Sequence, residues 1–308
     1  MKRTITAAAV GAVFLALAFS SGAVLEAARA ALSLCAETIL PSLFPFFVLS
    51  VLISRLGLPR ALGRRIGGAA GRLFGVSGAG ITALPVGLLG GYPMGAACVA
   101  ELLARGEIDG EEAGRLLLFC SNSGPAFLIG AVGAGAFASA RAGFLLYAAH
   151  AGAALLTGFL LRRPGGCRAA ADPAPAEPFA AAFPAAVQQA VSAVLTVCGF
   201  VVCFSVLLGL METWGLFALL GICTPERRAL LCGFFEIGSA VGAMRGLPPT
   251  PAHLALAAAI LGWGGLSVHC QTAALFCDSS LSLRTHTLGR LCSALFSAGL
   301  AWVLASVL

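Results

Sequence analysis

The sequence predicts an all-α polytopic membrane protein, arranged as an inverted repeat with two re-entrant helical hairpins and two broken transmembrane helices. Three observations lead there. The 308 residues are 59% hydrophobic and 10% charged, with a mean hydropathy of +0.96, whereas soluble domains carry about 25% charged residues. Each half of the chain holds two polar, turn-forming interruptions of apolar sequence at the same spacing. Gly90-Gly91-Tyr92-Pro93 precedes Ser121-Asn122-Ser123-Gly124-Pro125 by 31 positions, and Gly233-Phe234-Phe235-Glu236 precedes Gly264-Gly265-Leu266-Ser267-Val268-His269-Cys270-Gln271 by 31 again. Paired broken helices in two halves point to the central binding site of a transporter. The third observation is the placement of the cations, which follows from the element order.

A span needs roughly 20 apolar residues to cross a ~30 Å core. Residues 5–24 and 31–54 qualify, and 1–30 reads as an N-terminal transmembrane segment, with Lys2 and Arg3 ahead of it, rather than a cleaved signal peptide. Pro59 to Phe74 alternates arginines with Leu62, Ile66 and Leu73, as an interfacial helix does. Residues 75–104 are apolar but carry Gly80, Pro85, Gly87, Gly90, Gly91 and Pro93, so a re-entrant hairpin fits better than one straight helix. A charged segment (105–115), a broken span (115–138) and a span (142–161) complete a first repeat over 31–163. The Ala/Pro-rich stretch 164–184 reads as a cytoplasmic linker. The second repeat, 185–308, follows the same plan: a span (187–212), a hairpin (229–247), a broken span (254–277) and a final span (289–308).

With Lys2 and Arg3 in the cytoplasm and each hairpin returning to its side of entry, fourteen of the nineteen cationic residues fall on the cytoplasmic side, Arg290 among them. Arg29, Arg141, Arg227, Arg228 and Arg245 fall outside. That bias obeys the positive-inside rule. It makes the two hairpins enter from opposite sides, which is the inverted-repeat expectation.

The net charge of +6 is therefore a topology signal, and no basic run interleaved with aromatics points to nucleic acid. The eleven cysteines contain no C-x-x-C and sit in apolar runs, while His150, His253, His269 and His286 are too dispersed for a metal cluster. No Gly-x-Ser-x-Gly, His-Glu-x-x-His or phosphate-binding loop occurs, so neither an enzyme nor a nucleotide-driven pump is expected. The expected partners are the lipid bilayer and a small-molecule anion. No cofactor is expected, coupling to H+ or Na+ is left open, and so is a homo-oligomer.

Backbone groups freed at a break persist only around a cavity or inside protein. Ser121, Asn122, Ser123 and Gly124 supply donors ahead of a half-helix starting near Pro125, whose positive end suits an anion; of these Asn122 is the leading contact. Glu236 is the acid at the second hairpin tip, a functional candidate because a charge at membrane depth is costly. It reads as a proton-coupled or neutral carboxyl, or else as a sign of a different substrate. Ser267 and Gln271 share a helical face while His269 points elsewhere, unless the segment is unwound. Gly91, Tyr92 and Pro93 shape the first tip and complete the candidate set. His150, His286 and the span-end arginines read as snorkelling anchors.

The run Pro41-Ser42-Leu43-Phe44-Pro45-Phe46, the block GGYPMGA (90–96) leading to Ala100-Glu101-Leu102, FCSNSGPAFLIGAVG (119–133), GFFEIG (233–238) and GGLSVHCQ (264–271) together resemble the YlbJ (SpoVV) family of sporulation integral membrane proteins. That family sits in the wider nucleoside-recognition (gate) domain group, similar in fold to concentrative nucleoside transporters. The resemblance covers about residues 35–300. It implies a carrier that moves dipicolinic acid out of the mother cell across the outer forespore membrane, with a nucleoside-like solute as the alternative substrate. A non-transporting scaffold of spore assembly is the reading from a different class. Three positions depart from the family pattern: Gly238 stands where a small hydroxyl residue is usual, Ala97 where a basic one is common, and Ser121 where asparagine is frequent.

Overall fold

Apolar sequence punctuated by glycine and proline folds into helices that stop short and restart, and the computed structural model describes residues 11, 15, 17–163, 175–277, 279 and 281–307. Every regular element among them is helical. Lys2, Arg3, half of the first expected span and linker residues 164–174 lie outside the described residues.

Helix α1 (Ser21–Leu34) continues through a wider π turn (Cys35–Ile39) into α2 (Leu40–Arg55). Ser21–Ile39 and Leu43–Arg55 are bent by 55°, where Pro41 and Pro45 interrupt the ladder. The loop expected between residues 24 and 31 is helix instead, because nothing there breaks the backbone and Ala27, Ala28, Ala30 and Ala31 favour it. Helix α3 (Leu58–Phe74) is the amphipathic one, with Arg65 and Arg72 exposed. Helices α4 (Ala83–Gly90) and α5 (Met94–Ala104) form the first hairpin, turning at Gly91, Tyr92 and Pro93. The short α6 (Gly110–Leu116), capped by Asp109, leads into a non-helical stretch, and α7 (Ala126–Ala136), wound as a π-helix, follows Pro125. Helix α8 (Ala140–Leu160) closes the first half.

Helix α9 (Phe179–Thr213) is 35 residues long. It begins before Pro184, earlier than expected, because a proline within the first two turns displaces little of the helical ladder. After α10 (Leu216–Leu219), α11 (Pro225–Phe235) and α12 (Ile237–Ala243) form the second hairpin. Helices α13 (Pro251–Trp263) and α14 (Gly265–Leu275) are two halves joined at Gly264, and α15 (Arg284–Val307) ends the chain. Four helical segments, Ala140–Leu160, Phe179–Thr213, Pro251–Leu275 and Arg284–Val307, are long and apolar enough to cross a bilayer, and the bent Ser21–Ile39/Leu43–Arg55 pair makes a fifth.

The core is layered. One apolar cluster joins Leu128–Ala149 of the first half to Leu208, Phe217 and residues of α11–α13. A second lies at the other end, among Ala70–Leu84, Ala96–Cys120 and Phe276. Between them run the helix breaks. At one end of α9, the guanidinium of Arg55 donates to both Glu177 oxygens at 3.1 Å, and that of Arg105 donates to Glu177 Oε1 at 2.9 Å and to the Pro175 carbonyl at 2.7 Å. The Arg105 bond first, and then Arg55, hold the Glu177 carboxyl below the usual carboxylate range. These contacts pin the linker against the end of the first hairpin. At the other end of α9, Arg228 pairs with Glu212.

The non-helical stretch 117–124 is wedged between hairpin one and α15. A Cβ placed on Gly95 or Gly87 would lie 1.7 or 1.8 Å from the Cys120 carbonyl oxygen, and one on Gly289 would lie 2.1 Å from that of Leu118. Only hydrogen fits there, and a Cα–H aimed at a carbonyl is weakly favourable as well. Gly95→Ala is therefore expected to cost ~1–3 kcal/mol as an overpacked site, lowering the unfolding midpoint in detergent. Gly199→Ala, whose Cβ meets nothing within 4 Å, should leave the midpoint at or above wild type. Equal midpoints for the two variants would refute the wedge.

Candidate functional site

Both hairpin tips and both helix breaks meet at one cavity of about 110 Å³. Gly90, Gly91 and Tyr92 come from the first tip, Glu236, Ile237 and Gly238 from the second, Ser123, Gly124, Ala126 and Phe127 from the first break, and Ser267, Val268 and Gln271 from the second. Leu34, Thr38, Ile39 and Leu43 around the α1–α2 bend, Phe46, Leu89, and Val197 and Val201 of α9 complete the wall. Two helices of 11 residues, α7 and α14, start at this wall. Their unsatisfied N–H ends give the cavity a positive field.

The second tip is fixed by its own acid. The Glu236 carboxylate accepts from the Gly238 and Ser239 amides at 2.8 and 2.6 Å, capping α12. Both oxygens are thus occupied while the residue lines the cavity and stays 2% exposed. Protonation would turn one accepting oxygen into a hydroxyl donor and weaken its bond to a tip amide. At the second break α14 is helical, so Ser267 and Gln271 share a face: Gln271 Nε2 donates to Ser267 Oγ at 3.0 Å. His269 turns away from the cavity, with Nδ1 at 2.9 Å from the Gly265 carbonyl. Its ring lies 4.2 Å from that of Trp263 and 5.1 Å from that of His286.

At the first break the sequence expectation is only half met. Ser123 and Gly124 reach the wall, but Ser121 and Asn122 are fully buried and do not line the cavity. Asn122 Nδ2 instead donates to the Phe119 carbonyl at 2.8 Å, satisfying one of the groups the break frees. Pro93 faces a neighbouring cleft rather than the cavity. The anchor reading of the buried cations and histidines fails. His150 is 1% exposed, and its Nε2 accepts from the Ser123 amide at 3.0 Å. His286 is 1% and Arg290 0% exposed, which removes Arg290 from the cytoplasmic set without altering the sign of the bias. Arg290 Nη1 donates to Tyr92 Oη at 2.6 Å, and that phenol donates to the Leu261 carbonyl at 2.9 Å. Arg290 is the second residue of the expected span 289–308 and follows a polar run, so the sequence marks it as a span end and gives no sign of its burial.

The cavity is one of three in series along α9. A cleft of about 190 Å³ walled by Gln189, Ser192, Thr196 and Val197 shares Val197 and Gln271 with it. On the other side a cleft of about 400 Å³, walled by Ser205, Leu208, Gly209 and Glu212, shares Leu34 and Gly238. Residues 189 to 212 recur at three- and four-residue steps, one face of a helix, and span about 35 Å at 1.5 Å per residue. That exceeds a ~30 Å hydrocarbon core. A larger groove of about 970 Å³ between α2, α3 and hairpin one is walled by exposed Phe46, Leu49, Ile53 and Leu89, an apolar face suited to lipid.

Removing the tip cap separates its structural from its chemical role. Glu236→Ala should cost about 0.5–2 kcal/mol, the usual loss of an N-cap. Glu236→Gln, whose amide oxygen still accepts, should cost less. Detergent unfolding midpoints check this, and an alanine variant as stable as wild type would rule the cap out.

No protein-family model matches the chain, and no solved structure matches it. Among curated proteins it is similar to the sporulation integral membrane protein YlbJ of Bacillus subtilis (strain 168), with 30% identity over 89% of this chain and 75% of that protein. This multi-pass integral membrane protein belongs to the family of the sporulation integral membrane protein YlbJ.

Proposed function

We propose that this protein is a secondary carrier of a small organic anion, and that it serves sporulation by exporting dipicolinic acid from the mother cell across the outer forespore membrane. The observation that carries the reading is the meeting of two hairpin tips and two helix breaks at one cavity, with the N-termini of α7 and α14 at its wall. Backbone is left unwound inside a bilayer only where it lines a cavity or is covered by protein, and helix N-termini favour anions. The size fits a single-ring solute, since about 110 Å³ is below the roughly 300–1,000 Å³ of pockets for drug-sized ligands.

The clefts on either side of the cavity supply an approach from each end of α9. In this reading Val197 and Gln271 form the barrier on one side, and Leu34 with the Glu236-capped tip forms it on the other. Release of that cap is the local event that opens the second barrier. The two halves are read as oppositely oriented repeats of the nucleoside-recognition gate type. A nucleoside is the lesser reading, because it brings no negative charge to the helix N-termini at the cavity wall. Coupling to H+ or Na+ follows from imposing each gradient in turn.

Uptake of labelled dipicolinate, uridine and sulfate into proteoliposomes tests the proposal. Dipicolinate alone should enter saturably. Gln271→Leu, which removes a polar group from the cavity wall, should reduce entry roughly tenfold, the scale of one charge-assisted hydrogen bond. Leu49→Ala, in the lipid-facing groove, should transport as wild type. Uridine entering in place of dipicolinate would replace the substrate. No uptake of any solute by well-folded protein would leave the scaffold reading in its place.

A further inference from the structure

We propose that Arg290 is a carboxylate-binding residue lying one phenol ring behind the cavity, and that Tyr92 is the gate covering it. The proposal rests on the anion-carrier reading and names the group that recognises the anion.

Arg290 is fully buried in α15, yet its guanidinium makes a single hydrogen bond, to Tyr92 Oη. Nε and Nη2 have no partner. Among the described residues no carboxylate lies within ion-pairing distance of it. Its polar surroundings are Tyr92, His150, His269 and His286, and none of these brings a compensating negative charge. A guanidinium stays protonated in any protein setting and presents five donors in a planar fork. Leaving one unpaired inside a bilayer costs several kcal/mol. A snorkelling role fails because the side chain has no exposure, and a purely structural role leaves most of its donors unused.

The missing partner is a planar anion. Nε and Nη2 lie along one edge of the fork, the edge that a carboxylate grips with two parallel bonds. Access runs through the cavity, whose wall includes Tyr92 itself. The phenol is held between Arg290 and the Leu261 carbonyl, just ahead of the break at Gly264. Tyr92 thus occupies the guanidinium while no carboxylate is there, and its withdrawal with the hairpin tip exposes the fork. The tip, the second break and α15 are thereby tied to one event.

The test is equilibrium binding to purified protein in detergent, with pyridine-2,6-dicarboxylate and its neutral diamide as probes, read by calorimetry and thermal shift. Wild type should bind the dicarboxylate and not the diamide. Arg290→Gln should bind it at least roughly tenfold more weakly, the scale of a charge-assisted pair, and Arg290→Lys should recover part of the loss. Tyr92→Phe keeps the ring but removes the competing hydroxyl, and it should bind severalfold more tightly. Equal affinity in wild type and Arg290→Gln overturns the proposal, as does a wild type that binds both probes alike or neither. If Arg290→Gln does not fold, Tyr92→Phe decides, and unchanged or weaker binding overturns it. Arg290-dependent binding without uptake would keep the anion site and remove the carrier. Uptake unaffected by Arg290→Gln would do the reverse.

Discussion

A carbonyl released from a helix inside a bilayer finds no water, and the position of every other part of this molecule follows from how the stretch 117–124 is accommodated. The carbonyls of Cys120 and Leu118 sit in notches made by Gly87, Gly95 and Gly289. The Phe119 carbonyl takes the Asn122 amide, and the Ser123 amide finds His150. Hairpin one and α15 are thereby brought against opposite sides of the same backbone. That contact sets the first tip beside the second break, where Tyr92 meets Leu261 and Arg290. A cavity at their junction is the remainder left when four interrupted elements satisfy one another's polar groups.

The element order was legible because it is written in local chemistry. Gly91-Tyr92-Pro93, the polar run at 121–124 and Gly264 mark where helices cannot continue, and each mark is a turn or break in the structure, whereas Pro85 and Gly87 are carried inside α4. Boundaries were less legible where only apolarity spoke. Residues 24–31 are helix because no side chain there opposes it, and 179–184 because Pro184 falls early enough in α9 to displace little of the ladder; hydropathy alone does not say where a helix in lipid stops.

Within the site, sequence reasoning identified segments better than side chains. Gly91, Tyr92, Ser123, Gly124, Glu236, Ser267 and Gln271 reach the cavity. Ser121, Asn122 and His269 do not, because a polar residue at a break has two employers. It can face a solute, or it can repair the backbone that the break exposes. Asn122 serves its own chain by bonding to Phe119, three residues back, and His269 bonds to Gly265, four back. Sequence gives the spacing that permits such bonds and does not say which partner wins. Glu236 lies between the cases: it caps its own helix while lining the cavity.

Arg290 escaped notice for a related reason. Counting cations by the span end they lie nearest assigns each one to a side of the membrane, and a cation 0% exposed inside the bundle has no side. The rule works on averages and fails at the residue whose position is set by chemistry rather than insertion. The same argument separates Glu236 from Arg290. Glu236 has each oxygen bonded to a backbone amide that belongs to the fold. Arg290 is met by one phenol, a neutral partner that leaves its charge uncompensated. Of the two, the group whose pairing the fold leaves unfinished is the one a solute is able to complete.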